Sequence, residues 1–496
     1  GVVLPWVGTR RWLFAGLAIA AACGDHGGGG SDDHHDDGSI SRPRDELLDP
    51  AVCAECHPDH YREWLGSMHA YASDDPVFVA MNARGQRETG GELGDFCVKC
   101  HAPVAVALGD TKDGLDLEDL PRAEKGITCW FCHSVESVEG THDNPLVLAS
   151  DAVMRGEYAD AVDNPHHESD YSPLHDYATL ASSQLCGSCH DIVNGHGVQL
   201  ERTYDEWLAT FYSKPSESNP LIGASLGCVA CHMDGGNGPI AEFEGVESRT
   251  RYNHSFPGVD LALTDFPDAE QGPTLLADQQ AQVQYLLDPS VCVGLCVHPS
   301  DDGEGSEVVV WLHNEFAGHS IPSGAAQDRR MFVQLEAFAG DETVLQSGVL
   351  GPQDSVDAAA ALDPTLWVLR DRAFGADDTP ASMFWEITRV ESELLVVAAS
   401  AELRYDKTTW RSRTWQVDTP VDRAAVEVHM RPIPFELVDE LVEDGLDPAV
   451  KQRIPTFVLA STKMEWTPET AVMTDCEGPC VTIGTCFANL ANGECI

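Results

Sequence analysis

The sequence predicts an α+β chain of several parts, in which short helices and long loops without an apolar core of their own precede an antiparallel β-sandwich. Two observations predict it. Between residues 53 and 232 one pattern recurs five times: Cys53-Ala-Glu-Cys-His57, Cys97-Val-Lys-Cys-His101, Cys129-Trp-Phe-Cys-His133, Cys186-Gly-Ser-Cys-His190 and Cys228-Val-Ala-Cys-His232. The first cysteines are only 44, 32, 57 and 42 residues apart, so each repeat owns too little chain to bury a core. Beyond residue 290 the texture changes to short alternating or β-branched runs divided by turn residues, the pattern of an antiparallel sandwich.

The repeat itself is chemical. A C-x-x-C-H run reads as a c-type haem attachment site. Two thiols separated by two residues can each form a thioether to one porphyrin edge, and the adjoining histidine then offers an imidazole nitrogen to iron from below. On this reading Cys53 and Cys56, Cys97 and Cys100, Cys129 and Cys132, Cys186 and Cys189, and Cys228 and Cys231 hold five covalent haems. His57, His101, His133, His190 and His232 are the proximal ligands. Zinc sites or disulfides are the alternative, but zinc pairs do not need a histidine at the next position, and all five pairs have one. With so little chain per repeat, the porphyrins must act as the core. The chemistry implied is electron movement.

The elements follow in order. Residues 1–22 carry Arg10 and Arg11 and then the apolar run Trp12–Ala22, a secretory signal too short for a comfortable membrane span. The run ends at Ala20-Ala-Ala-Cys23, which resembles a bacterial lipobox, so Cys23 is the candidate lipidation site. Residues 23–45 are a Gly-rich, acidic linker that cannot bury a core. Residues 46–270 form the pentahaem domain, with 118–124 and 191–197 as loops and Tyr204–Tyr212 as a short helix. Residues 271–290 are a helical connector. Residues 291–435 hold the sandwich, with strands expected at 308–312, 331–338, 383–390, 394–403 and 424–430, and with His298, His313 and His429 at surface or strand positions. Residues 436–496 form a C-terminal segment; a short helix spans 434–445, and a cysteine-rich cap covers 476–496. The 496-residue length suits two to four domains.

Of the 17 cysteines, ten belong to the repeats and Cys23 stands apart. Cys292, Cys296, Cys476, Cys480, Cys486 and Cys495 remain, an even set that suggests disulfides in an exported chain. A local Cys292–Cys296 bridge and cross-links from this pair to the tail are both open. The 81 acidic against 30 basic residues give a net charge of −51, which argues against nucleic-acid binding. That excess serves solubility, and it can also steer a basic redox partner.

Low-spin electron carriers need a sixth ligand on each iron. His69 lies twelve residues beyond His57, His167 and His175 flank Tyr171-Ser-Pro-Leu174, His254 follows the last motif, and His319 sits in Gly318-His-Ser-Ile-Pro-Ser-Gly324. Competitors are His60, His142, His166 and His196, while Met68, Met81 and Met233 could offer axial sulfur. Cys53–His57 followed by Trp64-Leu-Gly-Ser-Met-His-Ala70 resembles the opening module of the multihaem cytochrome c family related to the tetrahaem cytochromes of ammonia oxidisers. Tyr171–His175 with Cys186–Asp191 and Thr203–Trp207, Cys228–Met233 with His254–Gly258, and the loop Gly318–Gly324 resemble further blocks of these exported cytochromes. The resemblance covers about residues 50–330. It implies bis-histidine haems in close stacked pairs, with His69, His175, His254 and His319 as distal ligands.

Two functions follow. One is an exported pentahaem electron carrier, a chain of bis-His haems passing electrons between redox proteins at the cell envelope. The other is an oxidoreductase acting on a small nitrogen or sulfur species at one open haem. Every motif ends in His, whereas pentahaem nitrite reductases mark their catalytic haem with Lys, so the non-enzymatic carrier is preferred and no catalytic residue is assigned. The expected location is the periplasm or cell surface, with the lipid on Cys23 as an outer-membrane anchor.

Overall fold

The computed structural model describes residues 41–214, 226–397, 409–474 and 478–482. The expected signal segment, Cys23, most of the linker, residues 398–403, Cys476 and the tail beyond 482 lie outside the described residues. The described residues belong to one compact unit. Helices and strands are mixed throughout, an α+β arrangement of many small sheets.

The first part is built from helices of one to three turns: α1 (Arg44–Leu47), α2 (Pro50–Cys53), α3 (Pro58–Leu65), α4 (Met68–Tyr71), α5 (Pro76–Glu88), α6 (Val98–His101), α7 (Pro103–Leu108), α8 (Cys129–His133), α9 (Ala181–Gly187), α10 (Thr203–Leu208) and α11 (Cys228–His232). Their starts are written in the sequence. Asp49, Ser67, Asp75 and Thr128 cap α2, α4, α5 and α8 with side-chain oxygens, and proline opens α2, α3, α5 and α7, where its missing N–H costs nothing. Between the helices run two-stranded ribbons: β1 (Val135–Val138) with β2 (Leu146–Leu148), β3 (Val153–Gly156) with β4 (Glu168–Tyr171), β5 (Asp191–Val193) with β6 (Gln199–Arg202), and β7 (Gly236–Pro239) with β8 (Ser248–Arg251). Apolar residues gather here in small separate clusters rather than one core.

The connector is helix α12 (Gly272–Leu287), as the sequence predicts. Two larger sheets follow. One has the order β16 (Arg411–Val417), β10 (Ser306–Asn314), β9 (Val291–Pro299), β20 (Gly478–Thr482), β19 (Val472–Thr474). The other runs β12 (Glu342–Ser347), β11 (Arg330–Ala339), β17 (Arg423–Arg431), β18 (Phe457–Trp466), with β13 (Trp367–Leu369) also on β11. Paired strands are antiparallel. Val308, Val310 and Leu312 from one sheet and Met331, Val333, Leu335, Val426 and Val428 from the other share one buried cluster, joined by Val283 and Leu287 of α12. The period-2 spacing of these residues puts one side of each strand into that cluster. Helix α13 (Val356–Leu362) and the ribbon β14 (Asp371–Phe374) with β15 (Arg389–Ser392) precede β16. Helix α14 (Phe435–Leu441) packs Phe435, Leu437, Val438 and Leu441 with Val77 and Ala80 of α5.

Several local expectations change: residues 118–124, expected as a loop, hold the 3-10 turns Leu117–Asp119 and Arg122–Glu124, and of the described residues 394–397, expected in a strand, only Leu395 and Val397 form isolated bridges. Residues 191–197, expected as a loop, open the β5–β6 hairpin. Its turn is closed by Asn194 Oδ1, which accepts the amides of His196 and Val198 at 3.0 Å each. Of the run 383–390, expected as a strand, only Arg389 and Val390 are in β15. Its carbonyls are held by side chains instead: Asn194 Nδ2 donates to those of Phe384 (2.8 Å) and Ile387 (2.7 Å). Cys292 and Cys296 are both disulfide-bonded, but four residues along an extended strand span about 13 Å, beyond the reach of one bridge. The local bridge is therefore excluded, leaving cross-links to cysteines elsewhere; Cys296 is the cross-strand backbone partner of Cys480.

Candidate haem-binding site

Each motif forms one tight helical turn. His57, His101 and His190 donate their amides to the carbonyls of Cys53, Cys97 and Cys186 at 2.8, 3.3 and 3.2 Å, so the two cysteines, three residues apart, share a face. All ten motif cysteines line one continuous cavity of about 1710 Å³. This exceeds the roughly 300–1,000 Å³ of a single-ligand cleft. The five motif histidines and His69, His167, His175, His254 and His319 line it too. Its wall is chiefly apolar, fit for porphyrin faces. Among the described residues, no three His, Cys, Asp or Glu converge as a metal-holding cluster, which counts against the zinc alternative.

The imidazoles are prepared for ligation. His57, His133 and His232 point Nδ1 at the carbonyls of Ile240 (2.7 Å), Arg155 (2.5 Å) and Pro257 (2.8 Å), and His101 points Nδ1 at that of Ala72 (3.1 Å). His167, His254 and His319 do the same with Glu168 (3.2 Å), Tyr252 (2.9 Å) and Ser320 (2.9 Å). An Nδ1–H donated to a carbonyl fixes the tautomer and leaves the Nε2 lone pair for iron. Burial, the first cause in each case, keeps these rings neutral: it lowers His69 and His254 to about 3, and His101 and His190 to about 4.

Ring separations narrow the ligands, although His57 has two neighbours near 6 Å, His167 at 28° to it and His60, 5.9 Å away, at 51°. A metal–imidazole bond of about 2 Å, with about 1 Å more to each ring centre, sets two rings on one ion about 6 Å apart. The centroids of His57 and His167 are 6.2 Å apart, those of His69 and His190 6.3 Å, and those of His232 and His319 6.3 Å. His133 has two neighbours, His254 at 6.5 Å and His175 at 5.1 Å. The Nε2 of His175 is 2.9 Å from the carbonyl of Cys132, while its Nδ1 is buried without a partner. That contact ties His175 to the motif's own backbone with its ring only 5.1 Å from that of His133, so the spacing of His254 is the better match to two rings on one ion. His101 differs. Its ring stacks on Phe78 at 3.9 Å and 2°, and no histidine ring faces it among the described residues. Sequence reading had no signal for this, because a missing partner is a tertiary fact.

The motifs also touch one another. Thiols of Cys53 and Cys129, Cys100 and Cys189, and Cys186 and Cys228 approach within hydrogen-bonding reach. The first motif thus adjoins the third, and the fourth adjoins both the second and the fifth. Cys132 is also felt electrostatically by Cys186 and Cys189, which connects the third motif to the fourth.

Comparison with known proteins agrees in kind. Residues 52–134 match the family model described as cytochrome c554 and c-prime. No curated protein matches the chain. The penta-haem cytochrome c552 from Thermochromatium tepidum shares the fold with a TM-score of 0.54 at 20% identity, over 84% of this chain and 98% of that one. Together these support a multihaem c-type cytochrome. They also support covalently bound c-type haem as its cofactor. The relation to ammonia oxidisers in particular is not part of either match.

Proposed function

We propose that the chain is a pentahaem electron-transfer protein. The observation that carries this is the set of four histidine pairs about 6 Å apart inside one cavity that also gathers all ten motif cysteines. The haem supplies a one-electron Fe(III)/Fe(II) couple. The protein's own work is to hold it: cysteines to tether, motif histidines and His167, His69, His254 and His319 to ligate, and backbone carbonyls to orient the rings. The motif contacts suggest a route from first to third to fourth to fifth, with the second branching from the fourth. In this reading the two large sheets are a β-sandwich scaffold that lends His319 to the fifth motif. The chain is exported, anchored through Cys23, and exchanges electrons with redox proteins of basic character.

A second reading is favoured by His101. With Phe78 against it and no imidazole facing it among the described residues, His101 would be the one side-chain ligand for a haem on the second motif, which would leave that iron able to take a small nitrogen or sulfur species. Mass spectrometry of protein matured with a cytochrome c assembly system should show five haem masses. Electron paramagnetic resonance of the ferric protein should then show four low-spin irons and one high-spin. Fewer than five haems on folded protein overturns the proposal, and five low-spin irons remove the open-site reading.

A further inference from the structure

The hairpin β1–β2 leaves the third motif directly, since α8 ends at His133 and β1 starts at Val135. Its root is fixed there: Leu146 and Leu148 pack with Trp130 and Phe131 of that motif, and Ala149 N donates to Ser134 O at 2.8 Å. Its tip reaches two other motifs. Asn144 N donates to the carbonyl of Ser188 at 2.7 Å, and Asn144 Nδ2 donates to the carbonyl of Lys99. Lys99 and Ser188 occupy the same place in their motifs, just before the second cysteine. Those cysteines, Cys100 and Cys189, are a pair whose thiols come within hydrogen-bonding reach. One residue therefore holds the second and fourth motifs at equivalent points. Asp143 secures it: its amide donates to Asp191 O at 3.0 Å, and its Oδ1 accepts the amide of Val193 at 3.0 Å. Both residues have positive φ, 59° at Asp143 and 54° at Asn144, a region that strains most side chains and that asparagine and aspartate tolerate best. Two such residues in a row persist only where the surroundings over-determine them, and these bonds to the second motif, the fourth motif and β5 do so.

We infer that Asn144, presented by Asp143, is a positioning residue: it sets the haem of the second motif against that of the fourth and so governs electron passage between them. The inference rests on the electron-transfer reading above. Electron passage between two haems falls steeply with the gap between their edges, so a bond that fixes the gap fixes the rate. The step moves one electron from Fe(II) of one haem to Fe(III) of the other, with no bond made or broken. The chemistry asked of Asn144 is specific. Its Nδ2 must donate to a carbonyl while the main chain holds positive φ, and asparagine supplies both. Aspartate would keep the turn but offers only an acceptor to Lys99 O, and glycine would suit the backbone but has no donor to offer. The hairpin is rooted on the third motif, whose Cys129 thiol adjoins that of Cys53. The same residue thus joins the first and third motifs to the second and fourth.

The test uses the full-length protein matured with its haems. Circular dichroism in the Soret band reads the coupling of close haems as a couplet of opposite signs. Pulse radiolysis reads the rate at which an injected electron spreads among the irons. Asn144→Asp and Asn144→Gly should each lose part of the couplet and slow the spreading, with haem content equal to that of the parent. Asn144→Gly keeps the turn and the bond to Ser188 O, so its lost couplet is not a lost fold. Asp143→Asn still accepts the Val193 amide, and Thr141→Ala lies at an exposed position of the same turn; both should match the parent in the two readouts. An unchanged couplet and an unchanged rate in Asn144→Asp and Asn144→Gly overturn the inference, even where melting falls, and leave the turn a matter of stability alone. So does an equal loss in Thr141→Ala or Asp143→Asn, which would spread the effect over the whole turn. A parent with fewer than five haem masses fails the electron-transfer reading instead, before any variant is made.

Discussion

His319→Ala tests how the second half of the chain serves the first. The ring of His319 lies 6.3 Å from that of His232 at 22°, while its backbone is held independently. Asn314 Nδ2 donates to the His319 carbonyl at 2.7 Å, and Ser320 N donates to Glu206 Oε2 at 2.9 Å. The hydroxyls of Ser323 and Thr203 are 2.8 Å apart. The variant therefore folds with the loop in place. An imidazole of about 75 Å³ removed without collapse costs about 2 kcal/mol at about 24 cal/mol per Å³, a melting shift of about 2–4 °C in a chain this large. A lost iron bond adds to that and leaves its own mark: one iron in five turns high-spin, read by paramagnetic resonance beside the parent. His319→Met should restore a six-coordinate iron at higher potential. An unchanged ratio of high-spin to low-spin iron in His319→Ala would refute the reasoning and make the loop mere scaffold.

Other outcomes follow from single positions. Gly126 has φ +69°, and a Cβ there would stand 2.5 Å from the carbonyl of His69 and 2.8 Å from that of Ala70. Gly126→Ala should cost about 1–3 kcal/mol for the backbone alone and disturb the His69–His190 pair, measured by denaturation and by the low-spin signal. Burial raises Glu201 from 4.5 to about 7, with Arg329 opposing and Asp260, Asp191 and Asp328 reinforcing. The folded chain then binds this proton more tightly than the unfolded one, so its contribution to stability falls as pH rises from about 4.5 to 7. Glu201→Gln should therefore gain about 1–2 kcal/mol at pH 8 and little at pH 4, compared by thermal melts at both. Cys23→Ser should move the protein from the membrane to the soluble fraction on cell fractionation, and unchanged membrane association would count against lipidation.

The sequence by itself determined the chemistry. Thioether attachment is local, requiring two thiols one helical turn apart and an imidazole next to them, so five short runs announce the cofactor without any tertiary knowledge. The period-2 runs at 308–312 and 424–430 are local for the same reason and stand where they were read. What only the tertiary structure decided is which imidazole meets which. His69 follows the first motif yet faces the fourth, His167 precedes the fourth yet faces the first, and His319 arrives from beyond the haem-bearing segment. His175 and His254 look equivalent along the chain, but a contact with the Cys132 carbonyl holds one of them too close to His133 for an ion between the rings. The bare flank of His101 is of the same kind. Pairing depends on how loops close across tens or hundreds of residues, and no local spacing carries that distance. The strand at 383–390 failed similarly: its alternation is real, but Asn194, nearly two hundred residues away, took the carbonyls a neighbouring strand would have bonded.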